Sequence, residues 1–382
     1  MELKPQFDAF LASIRPSVQQ KESWKVGSST LRARLAADET LGPQVVSTFL
    51  QGSIRRATAI KPTGGKRPDV DVVVVTDIDP LKTTPDQAMS RFIPFLEKHY
   101  SGKWRPQGRS FGIELSYVDI DLVITALPPD LQSRSAMEIL YRSQSVNTLT
   151  ALDEQTDWRL NKSWTPSVPN TLNSLRSSPQ ITQDAPSDEW KPNPLFLPDR
   201  DVGNWGRTHP LAQIQWTASK NRECNKLYLD IVRAIKWWRI QNVEILPNYP
   251  KGYPLEHMVG YSLANGTKTV GSGIVEVFET MKQQWAVAAE IGQVPVLADH
   301  GVPEHNVLKR LTAEDFKAFH KAAGDAASIA RDALDNPDAQ ESGKLWQRLF
   351  KASFPLPGPN GGDRVGFTAP AKPAEPRDAR FA

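Results

Sequence analysis

Cysteine is almost missing from this chain: Cys224 stands alone among 382 residues. That excludes an intramolecular disulfide and any cysteine-rich zinc module. Long apolar runs are missing too. No stretch approaches the roughly 20 apolar residues of a membrane helix. Met1-Glu2-Leu3-Lys4-Pro5 also lacks the basic-then-apolar layout of a secretion signal. The expectation is a cytoplasmic protein with no membrane partner. An excess of one charge is lacking as well. Lys and Arg number 46 against 43 Asp and Glu, a formal net charge of +3, too even to mark a broad nucleic-acid-binding surface. The six histidines show no metal-ligand spacing, and the chain has no internal repeat.

What is present suits a folded chain of two parts. Apolar residues make up 39% of it, and its length allows two ordinary domains. Residues 17–37 read as a polar helix with Trp24, Leu31 and Leu35 on one face. Val45-Val46-Ser47-Thr48-Phe49-Leu50 reads as a buried strand, broken by Gly52-Ser53. Asp69–Thr76 is a second, valine-rich strand. A helix is expected over 86–99 and one long third strand over 111–125, which together make a mixed α/β lobe. Residues 160–207 are rich in Pro, Ser, Asn and Asp, with Trp164, Trp190 and Trp205 expected to pin the segment to the body. Helices are expected at 218–241, 254–264, 271–290, 312–334 and 341–351. From Phe354 the chain turns Pro- and Gly-rich and reads as an extended, mobile tail ending at Ala382.

The chemistry concentrates between Gln51 and Asp121. A strand runs into Gly52-Ser53, where the glycine lets backbone approach a phosphate and the serine hydroxyl and helix-start amides can bind its oxygens. Asp69-Val70-Asp71 heads the next strand. Residues two apart on a strand face the same way, so both carboxylates aim at one point. Such a pair repels itself unless a divalent cation lies between, and hard oxygen ligands suit Mg²⁺. Phosphoryl transfer commonly uses two ions, with a third carboxylate from a neighbouring strand. Asp121, in Val118-Asp119-Ile120-Asp121, supplies it by preference. Asp119 shares its face, and the sequence leaves that choice open. Gly-Ser or Asp-x-Asp alone is weak evidence; together, carboxylates inside apolar strands call for a metal to offset their desolvation.

The pattern Gln51-Gly52-Ser53, Asp69-x-Asp71, Asp121 resembles the DNA polymerase β-like nucleotidyltransferases. It is closer to the bacterial cGAS/DncV-like nucleotidyltransferases (CD-NTases) of anti-phage (CBASS) signalling, and most like their clade D. The resemblance extends through Pro198-Asp199-Arg200, Trp205, Thr208-His209-Pro210, Leu227–Arg239 and Gly252-Tyr253-Pro254-Leu255-Glu256. It implies an α+β, two-lobed fold: a mixed-sheet catalytic lobe over 1–210, a helical lobe over 211–350 and a tail over 351–382. It implies that Gln51, Gly52 and Ser53 meet the donor triphosphate, that Lys236 binds it too, and that Tyr253 stacks on a base. The cofactor would be two Mg²⁺ held by Asp69, Asp71 and Asp121, with Mn²⁺ as a substitute. The product would be a 3′–5′-linked cyclic trinucleotide such as cyclic AMP-AMP-GMP, made from ATP and GTP without a template and read by a cyclic-nucleotide-sensing effector. Gly252 stands where many relatives have Ser, which puts one phosphate contact in question. A Cys/His zinc insertion is absent, which argues against activation by DNA in the manner of the animal sensor. The resemblance also raises a ubiquitin-like E1/E2-type conjugating enzyme as a partner acting at Ala382; a frayed terminus is the plainer reading.

Plainer readings stand beside the others. Lys236 and Arg233 can line the solvent face of an amphipathic helix, and Tyr253, between residues that include two prolines, can be a packed loop aromatic. Arg55 and Arg56 are left out of the site as phosphate binders or solvated charges. His209 reads as structural, Cys224 as core, and Ser53 lacks a partner that would make it a nucleophile. Two rival functions remain: a nucleotidyltransferase that modifies a protein, an RNA end or a small molecule, and a non-catalytic binder of metal or nucleotide.

Overall fold

A computed structural model of the chain describes residues 1–143 and 193–358. Trp164, Trp190 and Ala382, with most of the expected Pro/Ser-rich segment and nearly all of the tail, lie outside the described residues. Among the described residues no helix is long and apolar enough to cross a membrane.

A seven-stranded mixed sheet carries the acidic residues. Its strands are β1 (Val45–Gln51), β2 (Asp69–Thr76), β3 (Trp104–Pro106), β4 (Phe111–Glu114), β5 (Asp119–Ala126), β6 (Leu195–Asp199) and β7 (Asn204–Thr208). The order β1-β2-β5-β4-β3 runs along the main sheet, with β6 joined to β5 and β7 to β6. Among the described strands β2 and β5 alone pair in parallel. Both are buried along their valine- and isoleucine-rich length and open only at their acidic heads, as expected for strands covered on both faces. The helix α2 (Val18–Ala37) covers one face with Trp24, Leu31 and Leu35, as its periodicity predicts, and opens on a capping box from Ser17 and Gln20.

Several expected elements divide. The long strand over 111–125 is a hairpin, β4 and β5, closed where the Leu115 amide donates to the Val118 carbonyl. Its turn, Leu115-Ser116-Tyr117-Val118, carries no glycine, proline or asparagine to announce it. The helix over 86–99 is two, α4 (Pro85–Ser90) and α5 (Ile93–Tyr100), because Pro94 has no amide to continue the ladder and instead sits in the first turn of a new helix. The helix over 218–241 breaks between α7 (Pro210–Glu223) and α8 (Tyr228–Gln241), with Asn225 and Lys226 in left-handed backbone between them. Cys224 caps α7 and is fully buried, in the core as expected. Leu131–Ser143 forms the intervening helix α6.

The second core is helical. It is built from α8, α9 (Tyr253–Ser262), α10 (Val270–Gln284), α11 (Ala286–Glu290), α12 (Ala313–Asp335) and α13 (Ala339–Phe350). The expected helix over 271–290 bends between α10 and α11 at Trp285. An element the sequence reading passed over, α1 (Lys4–Ile14), joins this core: Phe7 meets Trp346 and Phe354 edge-on at 5.0 Å. Phe354, expected to begin the tail, is itself fully buried. Trp205 does pin its segment, donating its indole N–H to the Thr83 carbonyl at 2.8 Å.

Candidate active site

Strand register brings the three acidic residues together. In the parallel pair, Asp69 lies opposite Asp119 and Asp71 opposite Asp121, one strand spacing of about 4.8 Å apart. On the other side of β2, Asp71 pairs with Gln51, the last residue of β1. The chain then turns at Gly52, with φ 73°, into the short helix α3 (Gly52–Arg55). A Cβ at Gly52 would overlap the Asp71 carboxylate, so glycine is required by both its left-handed backbone and the approach of the acid. Gln51 and Gly52 therefore lie directly against Asp71, and Ser53 follows them in the first turn of α3.

Asp119 and Asp121 differ in what they touch. Asp119 is paired with Arg67 at 2.7 Å, and the same guanidinium reaches Glu114. Among the described residues no cation forms such a pair with Asp121; its Oδ1 accepts from the Gln107 side-chain amide at 3.0 Å, and Gln107 in turn accepts from Ser110. Burial raises the Asp121 carboxyl, with Gln107 and Arg105 pulling the other way. Asp71 is held up at about 6, first by burial and then by the charge of Asp121, against the pull of Arg56 and Lys236. Asp69 is raised to about 8 by the crowding that strips its hydration, then by Asp71, Asp121 and Asp119; one edge of it stays open at the mouth of the site. Three hard oxygen donors that resist ionising beside one another are a set that a divalent cation fits. As they stand, no three acidic, histidine or cysteine side chains among the described residues lie within ligating reach of one point. Side-chain rotation would have to draw them in.

Lys236 does not face solvent. Its ammonium, on α8, donates to Glu256 Oε1 and to the Thr58 carbonyl, both at 3.0 Å. Arg233, one turn earlier, is likewise turned inward, onto the Ala57 carbonyl and Asp230. The surface-helix reading of both is corrected. Arg56, left out of the site on sequence grounds, is 6% exposed, bonds Glu256 Oε2 at 2.9 Å and lies over the Tyr253 ring at 4.9 Å. Tyr253 opens α9 instead of packing in a loop. Burial, followed by the charge of Asp299, pushes its hydroxyl up. Gly252 before it has φ 60°, a conformation serine adopts only with strain, which accounts locally for the departure from the family pattern. His209 caps α7 through its ring nitrogen on the Ala212 amide, a structural role as expected.

Two cavities adjoin these groups. One of about 450 Å³ is lined by Asp69, Asp119 and Asp121 with Lys66, Arg67 and Gln107. A larger one of about 650 Å³ lies between β6, β7, the start of α9 and the 299–311 segment; of the predicted residues it includes only Tyr253. Glu256, Arg56, Arg67 and Gln107 are the interacting residues the sequence reading missed. Glu256 lay within a quoted motif, yet nothing local marks a partner 200 residues away.

Such a sheet, with paired acids heading its central parallel strands beside a Gly-Ser turn and a helical partner, defines the polymerase β-like nucleotidyltransferase class. Residues 1–128 match the Second Messenger Oligonucleotide or Dinucleotide Synthetase domain. The chain is 59% identical to a cyclic AMP-AMP-GMP synthase of Enterobacter hormaechei subsp. hoffmannii, over all of both chains. It is 27% identical to a cyclic AMP-AMP-AMP synthase of an Acinetobacter species, over 93% of this chain and 86% of that one. Its fold is that of CdnC from E. coli MS115-1, seen in a CdnC:HORMA-deltaN complex, with a TM-score of 0.61 at 16% identity, covering 92% of this chain and 98% of that one. It is also that of the Bradyrhizobium diazoefficiens CD-NTase CdnG in complex with GTP, with a TM-score of 0.62 at 10% identity, covering 90% and 94%. The chain belongs to the bacterial CD-NTases, the cGAS/DncV-like nucleotidyltransferases.

Proposed function

We propose that this protein joins ATP and GTP without a template into a 3′–5′-linked cyclic trinucleotide, cyclic AMP-AMP-GMP, as an anti-phage signal. The observation that carries the chemistry is the parallel register setting Asp71 beside Asp121 and directly against the Gly52 turn. The choice of product rests on the relative at 59% identity that bears that name.

In this reading Asp69, Asp71 and Asp121 hold two Mg²⁺, with Mn²⁺ an acceptable substitute. Held there, such ions would supply Lewis-acid activation of the attacking 3′-hydroxyl and would offset charge on the α-phosphate and the departing pyrophosphate. Asp121 is preferred to Asp119 as the third ligand because Arg67 already neutralises Asp119. Gln51, the Gly52–Ser53 turn and Lys236 receive the donor triphosphate, and Tyr253 offers a ring face to a base. The protein's work is positioning and charge compensation. In this reading the site lies between the sheet lobe and the helical lobe, and α1 adds its apolar face to the helical core.

The test is to incubate purified protein with all four NTPs and Mg²⁺, add phosphatase, and identify resistant products by mass spectrometry. A resistant species of two AMP and one GMP is expected. Transfer of a single nucleotide to a protein, RNA end or small molecule, with no cyclic product, would replace this reading with another nucleotidyltransferase. Untouched NTPs and no pyrophosphate in the presence of candidate acceptors would leave a binder.

A further inference from the structure

Glu256 is an acid 2% exposed, and its two oxygens are engaged by two cations, one from the segment after β1 and one from α8. Arg56, three residues beyond Ser53, bonds one oxygen at 2.9 Å; Lys236, on α8, bonds the other at 3.0 Å. Its own backbone carbonyl accepts from the Tyr228 hydroxyl at 3.0 Å, which ties its helix to α8 a second time. Lys236 also donates to the Thr58 carbonyl at 3.0 Å. An ammonium has three N–H donors, so these two acceptors set its orientation and leave one donor over. Arg56 in turn lies over the ring of Tyr253, one turn before Glu256 on α9.

We propose that Glu256 is a positioning residue that assembles the phosphate-binding side of the site before nucleotide arrives, by fixing Lys236 and the Ser53–Thr58 segment to one carboxylate. The inference rests on the reading of Lys236 as a triphosphate ligand. Two buried cations close to each other repel; with Glu256 between them they stand within one cluster, and the remaining Lys236 donor is oriented in advance. Preorganisation of this kind lowers the ordering cost of binding. Its benefit grows with the number of phosphates the ligand presents. Loss of a carboxylate that serves only to stabilise the fold would leave the ratio of ATP-analogue to AMP affinity unchanged.

The experiment measures Kd for a non-hydrolysable ATP analogue and for AMP, with Mg²⁺, in the wild type, Glu256→Gln and Glu256→Asp, together with kcat and KM for ATP. Glu256→Gln keeps the volume but leaves both cations uncompensated. Glu256→Asp keeps the charge and is shorter by one methylene, so it reaches one cation at a time and retains the fold. We expect Glu256→Gln to weaken the ATP analogue about tenfold to a hundredfold, the range of a lost charge-assisted hydrogen bond, and AMP by no more than about twofold. Glu256→Asp should fall between, with KM changing more than kcat. Equal weakening of the ATP analogue and AMP in both variants, or a lower melting temperature with unchanged nucleotide affinities, overturns the proposal. If Glu256→Gln does not fold, Glu256→Asp alone decides between these outcomes. A wild type that binds neither ligand and releases no pyrophosphate overturns the nucleotidyltransferase reading instead, a separate result from an active wild type whose variants discriminate normally.

Discussion

Asp71→Asn should make the metal-free protein more stable while abolishing its product. Burial and the charge of Asp121 hold the Asp71 carboxyl at about 6 in the folded protein, against an ordinary 3.8. The folded pKa is therefore the raised one: between these values the unfolded chain has released a proton that the native state retains. Stability is full below pH 3.8 and is lost as pH rises toward and through 6. At pH 8 the full shift applies, roughly 3 kcal/mol at 1.36 kcal/mol per unit, and at pH 5 roughly half of that remains. Asparagine has nearly the same shape and cannot ionise. Urea unfolding in EDTA should therefore give a higher midpoint for Asp71→Asn than for the wild type at pH 8, with the gap narrowing at pH 5. Adding Mg²⁺ should stabilise the wild type, through binding to the native state, and leave the variant almost unchanged. A variant less stable than the wild type in EDTA at pH 8, or one that gains as much from Mg²⁺, would refute the idea that these acids are strained toward a cation.

Asp121→Asn should eliminate product, whereas Asp119→Asn, whose partner is Arg67, should keep turnover within about tenfold of the wild type; equal losses would return the third-ligand question to an open state. Gly52→Ala combines a positive φ with overlap on Asp71 and should destabilise by about 1–3 kcal/mol with loss of activity, checked by denaturant midpoint and pyrophosphate release. Behind Tyr253, His300 stacks between Trp216 at 3.7 Å and His257 at 3.8 Å. Burial, then the charge of His257, lowers His300 to about 3, and burial lowers His257. Because the unfolded chain protonates first, this cluster's contribution is full above about pH 6.5 and is lost as pH falls from there toward 3. Between pH 7.5 and 5.5 the wild type should lose roughly 1 kcal/mol at His300, a loss that His300→Phe escapes. Tyr253→Phe should keep product formation and Tyr253→Ala should raise KM about tenfold or more, measured by initial rates of pyrophosphate release.

Much of the site was legible before any coordinates because its signals are local. A strand's two-residue period guarantees that Asp69 and Asp71 share a face whatever the fold around them. The glycine after a buried strand and the valine run that follows are equally local, and so are the apolar stripes of α2, α8 and α12. The hairpin between β4 and β5 was not legible, since its turn has no glycine, proline or asparagine; the helix break carries Asn225, which tolerates left-handed backbone, but the helical pattern on either side of it hid that signal. The strands β6 and β7 were hidden because, among the described residues, they pair with each other and at a single position with β5.

Sequence by itself determined the candidates: Asp69 and Asp71 on one strand face, Asp119 or Asp121 on a second apolar strand, a Gly-Ser turn and a nucleotidyltransferase pattern, all given by residue type and short spacing. Tertiary structure alone decided which residues stand opposite which. Parallel pairing put Asp121 beside Asp71 and Asp119 beside Asp69, and gave Asp119 an ion-pair partner in Arg67. Packing of α8 and α9 against the turn after β1 turned Arg56 and Lys236 from apparent surface charges into the two sides of a buried cluster around Glu256. Charge partners so far apart in the chain meet only through the closure of two separate cores, and no periodicity along the chain encodes that meeting.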